Sequence, residues 1–552
     1  MMNVLSVFSL EVLDSRICSS TEKAQNVIRN APPSRWRSKE FMLYYVVLVT
    51  VVPQMFMAAI KATNEESSPS YALIEPFLED GWMFGRKIDN SDLQYSSFRD
   101  RIIILLTVLA LHQCLRRLSG IFRVRRPHFD LVFGVIFVSV LHGLSFIKML
   151  IIYGLNFAIS RYLPQRPGIA LTWVFGIALL FLNEWNDGYR FGQIHSTLSP
   201  LDSYRGMIER WDVSFNFSML RMISYNADYY SSLSSMIDVE KRERDEKKLT
   251  EKERVELPSP RQEYHFANYL AYLLYTPLYI AGPIVTFNDY LYQSRHKLST
   301  VRLKSTLQYG IRLAIIILVM EWCLHFMYVV SLSRVKAWSG LSPFQISMVA
   351  YFNLTLVWMK LVIPWRFFRL WALIDDIDPP ENMLRCMSNN YSAGAFWRSW
   401  HRSYNRWVIR YIYIPLQGSK YPIRNMLIVF TFVAVWHDIQ LKMLAWGWLI
   451  TLFVLPEVFA KMLFPAKKWK GRPQYRFMSA VGAVCNIWLM MIANLVGFVV
   501  GLDGARDLFS LLFTTYSGLF FVTVASMALF VGVMLMYEVR SSEERRGISI
   551  RC

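Results

Sequence analysis

The chain has 552 residues, of which 54% are hydrophobic, 15% aromatic and 18% charged. This composition excludes an ordinary soluble domain and indicates a polytopic integral membrane protein. The formal net charge of +19 does not indicate nucleic acid as a partner, because the basic residues form short clusters between apolar runs instead of one continuous basic face.

The N-terminal segment is too polar for a cleaved signal peptide. Glu11, Asp14, Arg16 and Lys23 occupy positions where such a leader needs an apolar core. We therefore expect no cleaved leader, and we assign residues 1–40 to a cytosolic N-terminal tail.

Apolar runs of about 20 residues, enough to cross a bilayer, follow one another from residue 41 onwards. They predict an all-α polytopic membrane protein with about eleven transmembrane helices and additional re-entrant or interfacial helices. The expected spans begin near Phe41, Ile102, Leu131, Ile169, Phe266, Ile311, Phe344, Met426, Leu441, Met478 and Phe520. The stretch from 131 to 160 fits one long span or two short ones.

Charged residues predict the topology and divide the chain. The acidic loop 61–100 is expected in the lumen, and the basic clusters at 116–126 and 461–476 are expected in the cytosol. Residues 41–237 would form the N-terminal membrane helices, and residues 238–265, with alternating charges, a solvated insert. The chemistry is expected in a core from 266 to 515, followed by the last membrane helix and C-terminal tail at 516–552.

His437 is the most informative single residue. It lies in the apolar segment LIVFTFVAVWHDIQLKMLAWGWLI, where an ionisable side chain is costly unless it is paired or hydrated. Such a histidine indicates either a functional group or a packing residue with a satisfied partner. The adjacent Asp438 leaves a third interpretation open, in which the pair marks a helix end at the water boundary.

A second segment, FWRSWHRSYNRWVIRYIYIPL at 396–416, is too cationic for a span and too aromatic for a solvent loop. Its arginines recur every four residues and would form one stripe of an interfacial helix beside an aromatic flank. Such a stripe either binds phosphate, as in coenzyme A or a lipid headgroup, or simply lies on the membrane surface. The candidate substrate-binding residues are Arg398, Arg402, Asn405, Trp397, Trp400 and, beside His437, Trp436.

Together the two segments suggest acyl transfer. A neutral imidazole at His437 would take a proton from an acceptor hydroxyl while that hydroxyl attacks an activated acyl carbon. His401 would position the donor or the acceptor, or polarise the carbonyl as oxyanion charge develops. The spacing alone does not bring the two histidines together.

Other kinds of site receive no support from the sequence. The six cysteines are scattered without CxxC or CxxH spacing, so neither a zinc site nor a disulfide framework is indicated. GxSxG, HExxH and Walker-type motifs are absent from the sequence as well. We expect no metal and no tightly bound cofactor.

The same segments resemble the membrane-bound O-acyltransferase superfamily, through 396–416 and the histidine of VAVWHDI, which follows His401 by 36 positions. WDVSFNFSMLRMISYN at 211–226, YTPLYIAGPIVTFNDYLYQSRH at 275–296 and WRFFRLWALIDDIDPPENM at 365–383 are similar to the fungal glycerol uptake protein branch. That similarity covers nearly the whole chain. The hedgehog acyltransferase branch is similar over the core.

The resemblance implies that His437 and His401 are catalytic, that the bundle surrounds a tunnel, and that acyl-coenzyme A is the co-substrate. It also implies a lyso-lipid acceptor, namely the lyso-phosphatidylinositol of glycosylphosphatidylinositol (GPI) anchors, and a long or very long acyl chain. The implied partners are membrane lipids, acyl-coenzyme A, and lyso-GPI lipid or GPI-anchored proteins. The implied location is the endoplasmic reticulum membrane, with the plasma membrane as an alternative. Gln417 stands where relatives often carry glycine, so its side chain is expected to crowd a close backbone approach.

Two other functions fit the residues alone. A polyol or proton-coupled transporter would use His437, Glu321, His325 and Lys360 as a relay. A non-catalytic membrane scaffold would be indifferent to both candidate histidines.

Overall fold

The bundle is built almost entirely from helices. The structure, a computed structural model, describes residues 4–17, 21–64, 69–208, 210–245, 249–469, 472–499, 501–548 and 550. Its principal helices are α1 (Lys39–Asn64), α2 (Ile102–Ile121), α3 (Arg126–His142), α4 (Ser145–Tyr162), α5 (Gln165–Trp185), α6 (Trp211–Ser234), α7 (Leu303–Phe326), α8 (Pro343–Ile374), α9 (Ala393–Ser399), α10 (Arg402–Val408), α11 (Pro422–His437), α12 (Leu441–Leu463), α13 (Pro473–Phe498) and α14 (Tyr516–Arg545). The predicted all-α fold is confirmed.

Shorter elements connect these helices. The α-helical ones are Leu10–Leu13, Thr21–Arg29, Pro69–Ile74, Leu93–Asp100, Phe191–Ile194, Met236–Arg244, Glu251–Glu256, Phe266–Leu273, Thr276–Tyr279, Phe287–Arg295, Val329–Arg334, Ala466–Trp469 and Gly501–Phe513. Single 3₁₀ or π turns are formed by Val4–Phe8, Ser15–Ile17, Glu75–Phe77, Ser196–Ser203, Arg261–Glu263, Ile409–Tyr413 and Gly418–Lys420. In the described part of the chain, strands are limited to one antiparallel hairpin, Leu78–Asp80 with Lys87–Asp89.

Eight helices of the described chain are long and apolar enough to cross a membrane: α1, α2, α5, α7, α8, α12, α13 and α14. α3, α4 and α11 add apolar helices of 17, 18 and 16 residues. The stretch from 131 to 160 is therefore two helices, separated at Gly143, whose φ of +55° takes the backbone out of the right-handed helix.

The span expected to begin near Phe266 is wrong. The chain there makes an eight-residue helix, Phe266–Leu273, and then a second short helix, Thr276–Tyr279. Pro277 lies in the first turn of that second helix, where its missing N–H is tolerated. The apolar run is thus buried as short broken pieces inside the bundle, which apolarity alone does not distinguish from a span.

The long helix α8 forms the centre of the bundle. It begins with a capping box, in which Ser342 and Gln345 bond each other's backbone, and with Pro343 in its first turn. It packs against α1, α7 and α13, and its middle is more buried than that of the other spans described. α8 thereby presents Trp365 to the interior beside the 396–416 segment.

Two polar segments contact opposite ends of α7. Near its start, Gln308 donates a hydrogen bond to the Ser6 hydroxyl at 2.9 Å. Near its end, the Tyr95 hydroxyl donates to Glu321 at 2.8 Å. The N-terminal segment and the loop 69–100 therefore lie at opposite ends of the bundle.

The N-terminal segment is not a free tail, contrary to the prediction for 1–40. Leu13 and Ile17 are buried against Tyr309, Leu373 and Leu384, because apolar side chains on one face of this short segment gain by leaving water. Residues 4–17 are thus docked onto the bundle.

The charged insert at 238–265 is not solvated throughout, which corrects that prediction. The side chain of Arg242 donates to the carbonyls of Leu257 at 2.7 Å and Asn288 at 2.8 Å. Arg254 pairs with Asp289 at 2.9 Å. Leu249 and Leu257 are buried beneath them, so the insert has an apolar and arginine-rich inner face and a charged outer one.

Candidate functional site

The 396–416 segment is not one helix, so the predicted single arginine stripe is wrong. α9 and α10 are separated by Trp400 and His401, and His401 has φ of 45° and ψ of 55°. This left-handed conformation costs a non-glycine residue about 1–2 kcal/mol and ends a right-handed helix. Backbone strain of this kind is concentrated at functional sites.

The turn at His401 is fixed by Asn382 and Trp365. The backbone amide of Arg402 donates to the Asn382 carbonyl at 3.1 Å, and that of Ser403 donates to the Asn382 side-chain oxygen at 3.1 Å. These bonds satisfy amides in the first turn of α10. The His401 ring stacks on Trp365, with centroids 4.6 Å apart.

His437 lies at a helix end instead of inside a continuous span. It is the last residue of α11, and Asp438 follows in an extended conformation before α12 begins at Leu441. The helix end suggested by Asp438 is therefore observed, and it leaves a functional role for His437 open. His437 retains accessible surface although protein atoms surround it on all sides, whereas His401 is 5% exposed, so His437 is the more accessible of the two to a substrate.

The ring of Trp436 contacts both histidine rings. Its ring centroid lies 4.9 Å from that of His437 and 6.4 Å from that of His401. Trp436 is fixed to α6, because its indole N–H donates to the Asn216 carbonyl at 3.0 Å and Asn216 donates back at 3.1 Å. A rigid indole therefore separates an exposed imidazole from a buried one.

Buried polar atoms without partners surround this pair. Among the described residues, His401 Nε2, the Tyr404 hydroxyl and the Trp446 indole N–H make no hydrogen bond. Tyr404 stacks on Trp436 at 4.5 Å, and Trp446 lies 6.3 Å from His437. Because unpaired buried polar groups are costly, these atoms are the candidates for polar contacts with a substrate.

The remaining predicted aromatic residues pack around the two histidines and Trp436. Trp397 packs against Trp446 with ring centroids 5.6 Å apart, and Trp400 lies 6.3 Å from Trp365. Asn405 bridges the break at His401 by donating to the carbonyl of Arg398 at 3.3 Å. Trp397, Trp400 and Asn405 therefore surround the unpartnered atoms of His401, Tyr404 and Trp446.

Three of the four arginines in the segment are already paired with carboxylates, so they do not form a free phosphate-binding stripe. The pairs are Arg402–Asp14 at 2.7 Å, Arg406–Glu251 at 2.5 Å and Arg410–Asp228 at 2.9 Å. Arg398 differs, because it is exposed and has no ion pair within the described ranges.

Arg398 lines a cavity of about 800 Å³ between α9, α12, α13 and α14. Ser399 lines it too, whereas neither candidate histidine does. The charged groups around it are partly self-neutralised, since Arg385 pairs with Glu543 at 2.6 Å and Lys461 pairs with Glu457. A cavity of this size fits the polar part of a substrate-sized ligand, and Ser399 places it two residues from His401.

The residues of the alternative relay are engaged elsewhere. Glu321 accepts hydrogen bonds from Tyr95 and Trp82, His325 lies edge-on to Trp82, and Lys360 pairs with Asp92 at 2.6 Å. All of these partners belong to the loop 69–100. The three residues therefore fasten that loop to the bundle and do not extend towards His437.

One cluster has the residue types of a metal site. His112, Asp130 and Asp375 place ligand atoms within 4.8 Å of one another. The guanidinium of Arg126 pairs with Asp375 and lies 3.6 Å from Asp130. Because a buried arginine already supplies the positive charge between these carboxylates, we assign no metal to them.

The expected crowding of the backbone by the Gln417 side chain is not observed. Its side chain is exposed, and its φ of +69° places it in the left-handed region together with Gly418 at +52°. The departure from glycine therefore affects backbone strain and not packing.

Three site residues were not singled out from the sequence: Trp365, Asn382 and Trp446. Tyr404 belonged to the predicted aromatic flank without a role of its own. Trp365, Asn382 and Tyr404 lie within segments quoted for the resemblance, but only the fold shows that they surround His401. Trp446 has a structural signal in Gly497, where an added Cβ would lie 2.5 Å from its ring. That glycine leaves the space in which Trp446 faces His437.

Comparison with known proteins identifies the family. The family model "MBOAT, membrane-bound O-acyltransferase family" matches residues 169–500. The chain is 48% identical to the membrane-bound O-acyltransferase GUP1 of Candida tropicalis, over 100% of this chain and 96% of that protein. It is 47% identical to the membrane-bound O-acyltransferase GUP1 of Saccharomyces cerevisiae, over 100% of both.

A more distant relative is the protein-cysteine N-palmitoyltransferase HHAT of Mus musculus, 25% identical over 44% of this chain and 52% of that protein. The family match includes both candidate histidines and the core between them. The chain therefore belongs to the membrane-bound O-acyltransferase family and is a multi-pass membrane acyltransferase.

Proposed function

We propose that the protein transfers a long or very long fatty acyl chain from acyl-coenzyme A to a lyso-lipid hydroxyl. The acceptor in this proposal is the lyso-phosphatidylinositol of GPI anchors, and the location is the endoplasmic reticulum membrane. The observation that carries the proposal is the pair His401 and His437, both in contact with Trp436 and surrounded by unpartnered polar atoms.

His437 is the general base in this mechanism. Its ring is exposed, and it makes no hydrogen bond to any described residue, so a hydroxyl group can reach it. Neutral imidazole takes the hydroxyl proton as the oxygen attacks the thioester carbonyl, and it returns the proton to the departing thiolate. The ester bond forms as the carbon–sulfur bond breaks.

His401 acts on the carbonyl or the thioester. Its Nε2 is buried and unpartnered, and stacking on Trp365 fixes the ring plane. A fixed N–H aimed at the developing oxyanion is worth far more in such a dry site than in water. The left-handed backbone at His401 is the means by which the chain presents this ring between two helices.

The donor's phosphates would bind at Arg398. This residue has the unpaired guanidinium of the segment and lines the 800 Å³ cavity beside the site, and a guanidinium binds phosphate oxygens in a bidentate manner. The acyl chain would then run from the cavity past Trp397 and Trp400 towards His437. The identity of the acceptor rests on the resemblance to the fungal glycerol uptake branch.

The test is an assay of purified protein with a panel of acyl-coenzyme A donors and lyso-lipids, with products identified by mass. His437→Ala is expected to reduce transfer by at least about 100-fold, the usual contribution of general-base catalysis. His195→Ala, a substitution in the exposed connection after α5, is the matched control and should retain normal activity.

Normal transfer by folded His437→Ala protein would refute the assigned role. Glycerol uptake into liposomes that contain only this protein, with no acyl transfer, would favour the transporter instead.

A further inference from the structure

The docked N-terminal segment reaches the candidate site through one carboxylate. Asp14 is 1% exposed. Its Oδ2 accepts a hydrogen bond from Arg402 Nη1 at 2.7 Å and another from the backbone amide of Glu381 at 3.1 Å. Arg402 is the first residue of α10 and directly follows His401, so Asp14 contacts the side chain next to the strained turn.

The same segment also binds the loop 378–382, which lies on the other side of that turn. Arg16 donates through Nη1 to the Pro379 carbonyl at 3.1 Å and lies 3.5 Å from the Asp378 carboxylate. Asp14 is held in place by Arg16, whose backbone amide donates to Oδ1 at 3.0 Å. Residues 378–382 are thereby fastened to a segment more than 360 positions away in the sequence.

Loop 378–382 in turn determines the conformation at His401. Asn382 follows Glu381 directly, and it caps the first turn of α10 through its carbonyl and its side-chain oxygen. A left-handed histidine persists only where its surroundings over-determine it. Asp14 is bonded to both sides of this arrangement, to Arg402 on α10 and to Glu381 beside the cap.

Asp14 carries its negative charge under all ordinary conditions. Burial alone would raise the pKa of its carboxyl, but Arg16, Arg369 and Arg402 hold that pKa well below its usual range. A lowered native-state pKa means that the charge stabilises the fold at every pH above the unfolded value and is lost only in strong acid. Removing the charge leaves two buried guanidinium groups without a shared counter-ion.

We propose that Asp14 is a positioning residue that couples the docked N-terminal segment to the left-handed turn at His401. With the segment in place, the His401 ring is stacked on Trp365 and faces Trp436. If the segment is released, Asn382 and α10 lose the contacts with Asp14 that hold them together, and the His401 ring loses its fixed orientation. The inference rests on the proposed function in taking His401 as a working group of acyl transfer.

The experiment compares Asp14→Asn with a matched control, Glu538→Gln. Glu538 is also a buried carboxylate, 4% exposed, that pairs with an arginine, Arg545, at 2.6 Å and accepts from a backbone amide, that of Arg35, at 3.0 Å. It lies on α14 and makes none of the contacts to loop 378–382. Both variants lose one buried charge near the N-terminal region, but only Asp14→Asn removes the contacts that position the turn at His401.

Two readouts are taken on full-length protein, the kinetics of acyl transfer and local amide hydrogen exchange by mass spectrometry. Asp14→Asn is expected to lower kcat about tenfold or more, because a small misplacement of a catalytic group is costly, while KM for the acyl donor changes less than about threefold. Exchange should accelerate in 378–383 and 400–408. Glu538→Gln should keep kcat within about twofold and accelerate exchange only around 35 and 545.

Coupling is checked by the double variant Asp14→Asn with Arg402→Gln. If the two residues act through one interaction, the double variant loses little more kcat than either single variant. Wild-type kcat and exchange in Asp14→Asn would overturn the proposal, as would equal losses of kcat in Asp14→Asn and Glu538→Gln with exchange accelerated throughout the chain. If wild-type protein transfers no acyl group, the proposed function fails, and the exchange at 400–408 alone then decides whether Asp14 braces the turn.

Discussion

At the scale of single residues, the chemistry of this site depends on side chains that have no partner. His401 Nε2, the Tyr404 hydroxyl and the Trp446 indole N–H are buried and unbonded, which is costly unless a ligand supplies the partner. The paired residues, Arg402, Arg406 and Arg410, instead hold neighbouring segments together. What distinguishes these three unpartnered atoms from others in the bundle, such as the Tyr225 hydroxyl, is their position around Trp436 and the two histidines.

Tyr404 provides a direct test of this distinction. Tyr404→Phe removes only the hydroxyl and keeps the ring that stacks on Trp436 and His401. If the hydroxyl bonds to substrate, kcat/KM should fall about tenfold, the effect of losing one hydrogen bond of roughly 1.4 kcal/mol.

Tyr225→Phe is the matched control, because its hydroxyl is likewise buried and unpartnered but it packs among Tyr264, Tyr269 and Phe287. It should leave kcat/KM unchanged. Equal rates for wild type and Tyr404→Phe would show that the Tyr404 hydroxyl does not contact substrate.

At the scale of elements, helix ends define the site. α9, α10 and α11 all end or begin within a few residues of the two histidines. A sequence pattern predicts where helices run, and it does so here for α1, α7 and α8. It does not predict the left-handed residue that divides the Arg/Trp segment, because His401 has no glycine or proline beside it to signal a break.

Helix α13 contributes to the site through Gly497, which has no side chain. Gly497 leaves space for Trp446, and Gly497→Ala would place a Cβ 2.5 Å from the Trp446 ring. The indole must then move away from Trp397 or from His437. We expect acyl transfer to fall by about tenfold or more, as for other small displacements of catalytic surroundings, with tryptophan fluorescence reporting the displaced ring.

The control is Gly532→Ala on α14, where an added Cβ meets nothing within 4 Å. Alanine there should be neutral or slightly stabilising, by up to about 1 kcal/mol, because it is the better helix former. Unchanged activity in Gly497→Ala would mean that the position of Trp446 does not matter for catalysis.

At the scale of the whole molecule, long-range contacts determine what the sequence leaves open. Composition and apolar runs correctly predict a helical membrane bundle, and the fold places His401 and His437 on either side of one tryptophan, Trp436. The docking of residues 4–17 was not predictable, because Asp14 and Arg16 look like ordinary solvated charges until their partners near 380 and 402 are known. The buried face of the insert at 238–265 was missed for the same reason.

The two polar segments at opposite ends of α7 predict the orientation of the molecule in the membrane. If the N-terminal segment is cytosolic, the loop 69–100 must be lumenal, because the two segments contact opposite ends of one helix of span length. An Asn-Gly-Thr acceptor inserted between Phe84 and Gly85, where Phe84 is 83% exposed, should therefore be glycosylated in microsomes. An epitope tag before Met1 should be cleaved by protease added outside the same intact vesicles.

The opposite result in both measurements would mean that the protein has the inverse orientation in the membrane. The Arg398 cavity is lined by Ile548, which also packs with Leu13 and Ile17, so this cavity would then lie on the lumenal side. Because coenzyme A is a large polyanion that does not cross a bilayer unaided, an inverted molecule could not take acyl-coenzyme A from the cytosol at Arg398, so this one topology measurement bears on the donor as well as on the fold.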